Sequence, residues 1–328
     1  MPSLQTPIHS GFGPATTAQD VLAGMNLSGK TAIVTGGYSG IGTETSRALR
    51  AAGARVIVPA RDIAKAKAAL DGMDVEIAAM DLADPSSIDA FADAFVATGS
   101  PLHILINSAG IMACPLTRDA RGYEMQFATN HLGHFQLTTR LWPALLRAGG
   151  ARVVALSSLG HRYAPVDFDD PNFERREYDR WIAYGQSKTA NALFALGLDA
   201  RGKRHGIRAF AVHPGRIVTD LVRHMSVEEL QKIGALDEHG QPIVDLARGL
   251  KSLAQGAATS IWAATSPQLD ALGGVYCEDC DIAALNPEED AGTPGSATMS
   301  SGVRPWAVDP DAADRLWTLS EHMTSAVA

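Results

Sequence analysis

The stretch Thr31-Ala-Ile-Val-Thr-Gly-Gly-Tyr-Ser-Gly-Ile-Gly42 is a short apolar run that ends in glycines, and residues 43–52 continue with helical composition. Gly36, Gly40 and Gly42, with Tyr38, Ser39 and Ile41 between them, follow the first predicted strand and open the first predicted helix. A phosphate site needs this arrangement, because side-chain-free backbone lets a pyrophosphate approach a helix N-terminus whose unpaired N–H groups and dipole favour negative charge. Tight turns use glycine too, so it is the position between a strand and a helix that carries the nucleotide reading.

Outward from this turn the same alternation repeats. A β-branched run at 56–58 is followed by a strand near 75–80, a helix after Asp84-Pro85 and a buried strand at 102–106. A long helix at 123–147 comes next, then a strand at 152–157, an irregular stretch to about 179, a helix at 181–205 and a strand at 207–213. A helix at 255–264 and a strand at 275–277 finish the sheet. Apolar strands alternating with helices imply a parallel sheet covered on both faces. The polar segment 220–254, with one helix at 226–233, reads as a mobile loop over a crevice. The low-regularity stretch 287–305 and a helix at 311–323 form a C-terminal extension over 285–328. Residues 1–26 read as an N-terminal arm lying on a single domain, 27–328.

Composition narrows the function. Among 328 residues, 28 Lys+Arg against 36 Asp+Glu give a net charge of −8, without the basic excess that nucleic acid or anionic lipid attracts. Three cysteines make no disulfide framework and point to a reducing, cytoplasmic setting. Cys277-x-x-Cys280 lacks a second pair or nearby histidines to complete a zinc site and reads as packed thiols. The first basic residue is Lys30, which leaves the N-terminus without a charged leader, and the longest uncharged stretch, 94–117, is broken by Pro101, His103, Asn107 and Pro115. No membrane span is expected.

The second strand ends in Val58-Pro-Ala-Arg61, with no carboxylate for an adenosine ribose diol. The guanidinium of Arg61 suits a 2′-phosphate and favours NADP(H) over NAD(H); the alternative is a solvent-facing pair with Asp62. Tyr184-Gly-Gln-Ser-Lys188 sets a phenol and an ammonium four apart on one helical face. A neighbouring ammonium, aided by a nicotinamide cation, favours the phenolate and is expected to lower the tyrosine pKa.

Taken together these residues resemble the short-chain dehydrogenase/reductases over about 27–284. The resemblance rests on the glycine turn, Asp81-Leu82, Asn107-Ser-Ala-Gly110, Asn130, Ser157-Ser158, Tyr184 to Lys188 and His213-Pro-Gly215, which occur in the family's order. Asn130-His-Leu-Gly-His-Phe135, Ser157-Ser-Leu-Gly-His161 and Val212-His-Pro-Gly215 are most similar to its retinol-dehydrogenase-like and protochlorophyllide-reductase-like branch. The resemblance implies a doubly wound, Rossmann-type α/β sheet and a catalytic tetrad of Asn130, Ser158, Tyr184 and Lys188. In it Tyr184 passes the proton, Ser158 hydrogen-bonds the substrate oxygen, Lys188 lowers the tyrosine pKa and binds the nicotinamide ribose, and Asn130 holds a water. It also implies that Asp81 and Leu82 border the adenine, that Asn107, Ala109 and Gly110 back the cofactor, and that Pro214, Gly215 and Thr219 contact the nicotinamide end. Asn-Ser-Ala-Gly replaces the family's usual Asn-Asn-Ala-Gly, and Ala190 stands where protochlorophyllide reductases carry cysteine.

Ser158 and Tyr184 lie about a dozen residues further apart than in the family's commonest members. The inserted Phe168, Phe173, Tyr178 and Trp181 are expected either to line an apolar pocket with the 220–254 segment or to pin a long loop. His131 and His134 share a helix without a third ligand, and no metal is expected. The overall expectation is NADP-linked alcohol–carbonyl interconversion on an apolar or bulky small molecule. An NADP(H) sensor without turnover, or an enone reductase or epimerase on the same fold, is the alternative. Pairing into a homo-oligomer through helices 123–147 and 181–205 is left open.

Overall fold

The computed structural model describes residues 5–287 and 301–325. Eight strands form one sheet: β1 (Thr31–Val34), β2 (Arg55–Ala60), β3 (Glu76–Ala79), β4 (Ile104–Asn107), β5 (Ala151–Leu156), β6 (Ile207–His213), β7 (Val275–Glu278) and β8 (Asp281–Ile282). Their order is β3-β2-β1-β4-β5-β6-β7-β8, parallel up to β7, with β8 added antiparallel. The order reverses between β1 and β4, which opens a crevice at their C-terminal ends.

The strands are apolar nearly throughout because both faces are covered. Ile33, Leu105, Val153 and Ala211 face one core, which contains residues of α4 (Pro85–Ala97), α6 (Gly133–Arg140), α8 (Arg180–Gly202) and α11 (Pro310–Ser325). Ala32, Val34, Ile106, Val154 and Val212 face the other, against α1 (Ala18–Val21), α2 (Gly40–Ala51) and α10 (Leu253–Thr265). This period-two partition is what a sheet buried on both sides requires. The remaining helices are α3 (Ile63–Ala69), α5 (Met125–Phe127), α7 (Trp142–Arg147) and α9 (Val227–Lys232).

Two expectations need correction. The helix expected over 123–147 is α5, a π-helical turn at Ala128–Leu132, α6 and α7. The widened turn carries Asn130 and frees it for a side-chain role. The two-residue β8, absent from the sequence reading, returns through a tight turn in which Asp279 and Cys280 both have positive φ. Residues 288–300 of the low-regularity stretch lie outside the described residues; just beyond them Val303 pairs with Leu285, and Pro305–Val308 form a 3-10 turn.

N-terminal residues are tied to the far sheet edge. The Gln5 amide donates to Tyr276 O at 2.7 Å and Ala283 O at 2.6 Å, and its oxygen accepts from Tyr276 N at 2.9 Å. Among the described residues no helix is long and apolar enough to cross a membrane.

Candidate active site

A cavity of about 680 Å³ occupies the crevice where the sheet order reverses. One wall is the β1–α2 turn. Gly42 is obligatory there, because a Cβ would lie 2.2 Å from Gly36 O. Ser39 precedes the first residue of α2 without making a side-chain cap, so the first N–H groups of a 12-residue helix lack that partner. A helix start of this kind, lined by glycine, fits a pyrophosphate. Behind the turn the Thr35 hydroxyl accepts from Ser108 N at 2.9 Å and Ala109 N at 3.0 Å, fastening the loop after β4 to the end of β1.

Gly36, Tyr38, Ser39, Gly40, Ile41, Gly42, Arg61, Asp81, Leu82, Ala109, Gly110, Ser158, Tyr184, Lys188, Pro214, Gly215 and Thr219 all line this cavity. Two expected residues do not. Asn107 is buried behind the wall, its amide donating to Thr138 Oγ1 at 3.1 Å, while its Oδ1 has no hydrogen-bond partner. Asn130 also lies behind the wall: its Oδ1 accepts from Ile111 N at 2.8 Å, and its Nδ2 donates to Ile111 O and Ser187 Oγ, both at 2.9 Å. Both donors of that side chain are therefore spent on holding the loop after β4 against α8.

His134 completes this bracing. Its Nδ1 lies 2.9 Å from Asn130 O and its Nε2 2.9 Å from Thr35 Oγ1. A carbonyl can only accept, so Nδ1 carries the proton and Nε2 accepts from Thr35. Burial holds this imidazole near pKa 4 and keeps it neutral. His131 bonds Ser320 of α11 at 2.7 Å. Cys114, Cys277 and Cys280 are buried and free.

The opposite wall comes from α8 and the 3-10 turn Leu159–Tyr163. Asp179 caps α8 by accepting from Trp181 N and Ile182 N, and the helix then turns Tyr184 and Lys188 toward the sheet. Lys188 Nζ donates to Leu156 O at 3.0 Å and sits 5.7 Å from the centroid of the Tyr184 ring. Ser158 starts the 3-10 turn, its Oγ accepting from Gly160 N at 3.0 Å, and both this hydroxyl and the edge of the Tyr184 ring lie against Gly160. The ammonium alone does not lower the tyrosine. Burial pushes Tyr184 up to about 12, opposed mainly by the Ser158 hydroxyl, and burial pulls Lys188 down to about 8.

Gly160 and Gly185 allow the turn to lie directly on α8. A Cβ at 160 would stand 2.7 Å from Tyr184 Cε1, and one at 185 would stand 2.7 Å from Gly160 O. Gly160→Ala must therefore displace the phenol ring. Steady-state kinetics of this variant should show a loss of about 10²-fold in turnover with an unchanged circular dichroism spectrum; full activity would show that the ring position is not critical.

Residues missed in the sequence join the two halves of the cleft. Asp220, after β6, receives Lys65 Nζ at 3.0 Å and Ser39 Oγ at 3.2 Å, so one carboxylate clasps α3, the glycine turn and the loop after β6. Lys65 pulls the Asp220 pKa below the usual carboxylate range. The signal available for Lys65 was its spacing, four residues after Arg61 at the start of a helix. Arg61 is exposed at the cleft and makes no ion pair among the described residues; Asp62 instead caps α3 by accepting from Lys65 N at 2.9 Å.

Of the four inserted aromatics only Trp181 lines the cavity, alongside Tyr163, whose ring is 6.1 Å away. Phe168 packs under Arg315 of α11, and Phe173 is buried against Tyr178 with Arg176 over its face. Tyr178 donates to Cys114 O at 2.9 Å. These three pin the insertion to the body through Arg315, Arg176 and Cys114 O, none of which lines this cavity. The segment after β6 does reach the cavity, through Leu221, Val222, Met225, Leu230 and Ile233, and carries its own small core of Leu230, Ala235, Leu236 and Leu250.

Residues 30–230 match the family model for short chain dehydrogenase. The chain belongs to the short-chain dehydrogenase/reductase family. It is 45% identical over 309 residues to a protein of Streptomyces lividans named "Probable oxidoreductase", covering 92% of this chain and all of that one. It is 37% identical over 303 residues to human retinol dehydrogenase 12, covering 90% and 86% of the two chains. A crystal structure of a protein from Mycobacterium paratuberculosis superposes with a TM-score of 0.71 at 33% identity, covering 95% of this chain and 98% of that one. As a member of this family the protein is an oxidoreductase with the mostly parallel, doubly wound sheet described above.

Proposed function

We propose that this short-chain dehydrogenase/reductase interconverts an alcohol and an aldehyde or ketone with NADP(H), on an apolar or bulky small molecule. The observation that carries the reading is the convergence of Ser158, Tyr184 and Lys188 on one wall of a cavity whose other wall is a glycine-lined helix N-terminus. The residues present fit a nicotinamide dinucleotide: the uncapped start of α2 suits its pyrophosphate, and Arg61, free of any acidic partner among the described residues, suits a 2′-phosphate. When bound, that group supplies or accepts the hydride.

The chain's own residues supply the rest. Tyr184, protonated across the neutral range, donates its proton to the carbonyl oxygen during reduction. Gly160 N fixes the Ser158 oxygen, and its hydroxyl proton turns to the substrate oxygen as negative charge develops there. Lys188, held by Leu156 O, sets the positive charge under the phenol. Asn130 positions the loop after β4. Trp181, Tyr163 and the apolar side chains after β6 exclude water and receive the body of the substrate.

The test is a fluorescence titration with NADPH and NADH on the native protein and on Arg61→Ala. NADPH is expected to bind more tightly, and the variant to lose about tenfold for NADPH alone, the scale of one exposed charge-assisted contact. Equal binding of both cofactors, unmoved by the substitution, would overturn the NADP assignment. A panel of apolar aldehydes and ketones then tests turnover.

A further inference from the structure

His161 belongs to no step above, yet it joins the catalytic wall to the C-terminal extension. It is fully buried in the 3-10 turn, with Nδ1 2.7 Å from Ser158 O and 3.2 Å from Tyr276 Oη, and its Nε2 accepts from Arg304 N at 3.1 Å. A backbone N–H can only donate, so Nε2 must be unprotonated. The proton therefore sits on Nδ1 and is directed at the Ser158 carbonyl.

The donors then run one way. Arg304 N–H donates to His161, and His161 Nδ1–H donates to Ser158 O, with Tyr276 Oη as a second, longer acceptor. The Ser157 hydroxyl, next in the chain, donates to Lys188 O at 2.8 Å. The C-terminal segment is locked onto this turn by further bonds: Trp306 Nε1 donates to His161 O at 3.2 Å, Arg162 donates to Ser301 O and Gly302 O, and Gly302 N donates to half-buried Glu278 at 2.6 Å. Thr189 of α8 also donates to His161 O at 3.0 Å.

We infer that His161 is a positioning residue for the reaction, its tautomer set by the backbone of Arg304, so that the segment after residue 300 holds the Ser158 hydroxyl against Tyr184. This rests on the reductase reading above. Ser158 spans only one residue between the Ser157 anchor and the His161-held turn, so loss of the Nδ1–H bond frees its carbonyl and lets its hydroxyl drift from the phenol. Burial first, then the nearby Arg162 and Arg304, keeps the imidazole neutral, near pKa 3; the buried His213 faces it as well.

Two measurements test this. Nitrogen-15 NMR of histidine-labelled full-length protein reads the tautomer without any need for activity; a neutral Nδ1–H ring between pH 5 and 9 is expected, and an Nε2–H ring overturns the inference. Kinetics of His161→Phe, His161→Asn and His161→Gln read the consequence. Phe is expected to lower kcat about 100-fold, with KM and NADPH affinity within twofold, and to move the alkaline limb of the pH profile upward as Tyr184 loses Ser158. Asn keeps a donor at the Nδ1 position and should recover at least tenfold, whereas Gln reaches only toward Arg304 and should not. If Phe prevents folding, the Asn and Gln comparison decides. Variants that only melt earlier, with native kcat and pH profile in the folded fraction, assign His161 a purely structural role and overturn the inference. A native enzyme with the Nδ1–H ring but no turnover of any carbonyl in the panel overturns the reductase reading instead, and the catalytic role of His161 with it.

Discussion

Tyr184→Phe is expected to abolish carbonyl reduction, by about 10³-fold or more in kcat, while NADPH binding changes by less than tenfold and the thermal midpoint stays near that of the native protein. The substitution removes one oxygen. The ring keeps its place against Gly160, and the Ser158 hydroxyl keeps its bond from Gly160 N. What disappears is the phenol placed between Ser158 and Lys188 at the cavity wall, and positioned acid–base groups contribute roughly 10²–10⁴-fold. The direction of pH dependence follows from burial, which pushes this phenol up to about 12. Reduction needs the protonated form and holds its rate through the neutral range; alcohol oxidation needs the phenolate, so its rate rises toward alkaline pH. Stopped-flow reduction of the best substrate of the panel, with Tyr184→Phe beside the native protein, checks the claim. A variant retaining more than a tenth of native kcat would assign proton transfer to another group.

How much of this was legible in the sequence depended on whether the signal was local. The glycine turn, Tyr184 with Lys188 and the strands of the central sheet announce themselves within a few residues, since a strand covered on both faces is apolar throughout and a helix sets i and i+4 together. The π turn at Ala128–Leu132 leaves no such mark, because one extra residue in a turn does not alter an apolar composition that continues through Phe135. β8 is two residues long and owes its existence to pairing with Cys277 and Glu278. The Lys65–Asp220 clasp joins residues 155 apart in the chain, and Arg304 reaches His161 from 143 residues away, so neither has a local pattern to read. Phe168, Phe173 and Tyr178 were apolar candidates for a pocket by composition alone; what turned them from the cavity was the company of Arg315, Arg176 and Cys114 O, contacts only the fold decides.

Lys188→Met is expected to stabilise the protein while reducing carbonyl turnover at least 10²-fold. Burial pulls the ammonium from its ordinary 10.5 to about 8, which corresponds to about 3 kcal/mol of unfavourable free energy at any pH where lysine is charged in both the folded and unfolded chain. Met fills a similar volume with no charge to desolvate. The carbonyl that Lys188 leaves, Leu156 O, still accepts from Asn191 Nδ2 at 2.8 Å, so no buried acceptor is orphaned. The sign with pH is fixed by the direction of the shift. Below pH 8 the native protein carries the whole penalty; between 8 and 10.5 the folded chain loses its proton before the unfolded one does, and the penalty fades. Urea unfolding should therefore show the variant ahead by about 2–3 kcal/mol at pH 7, narrowing as pH approaches 10.5. A variant less stable than the native protein at pH 7 would mean that the ammonium is solvated or paired more fully than its single bond to Leu156 O provides. The outcome expected here identifies Lys188 as a charge kept against the interest of the fold, which is the mark of a group retained for its work on the neighbouring phenol.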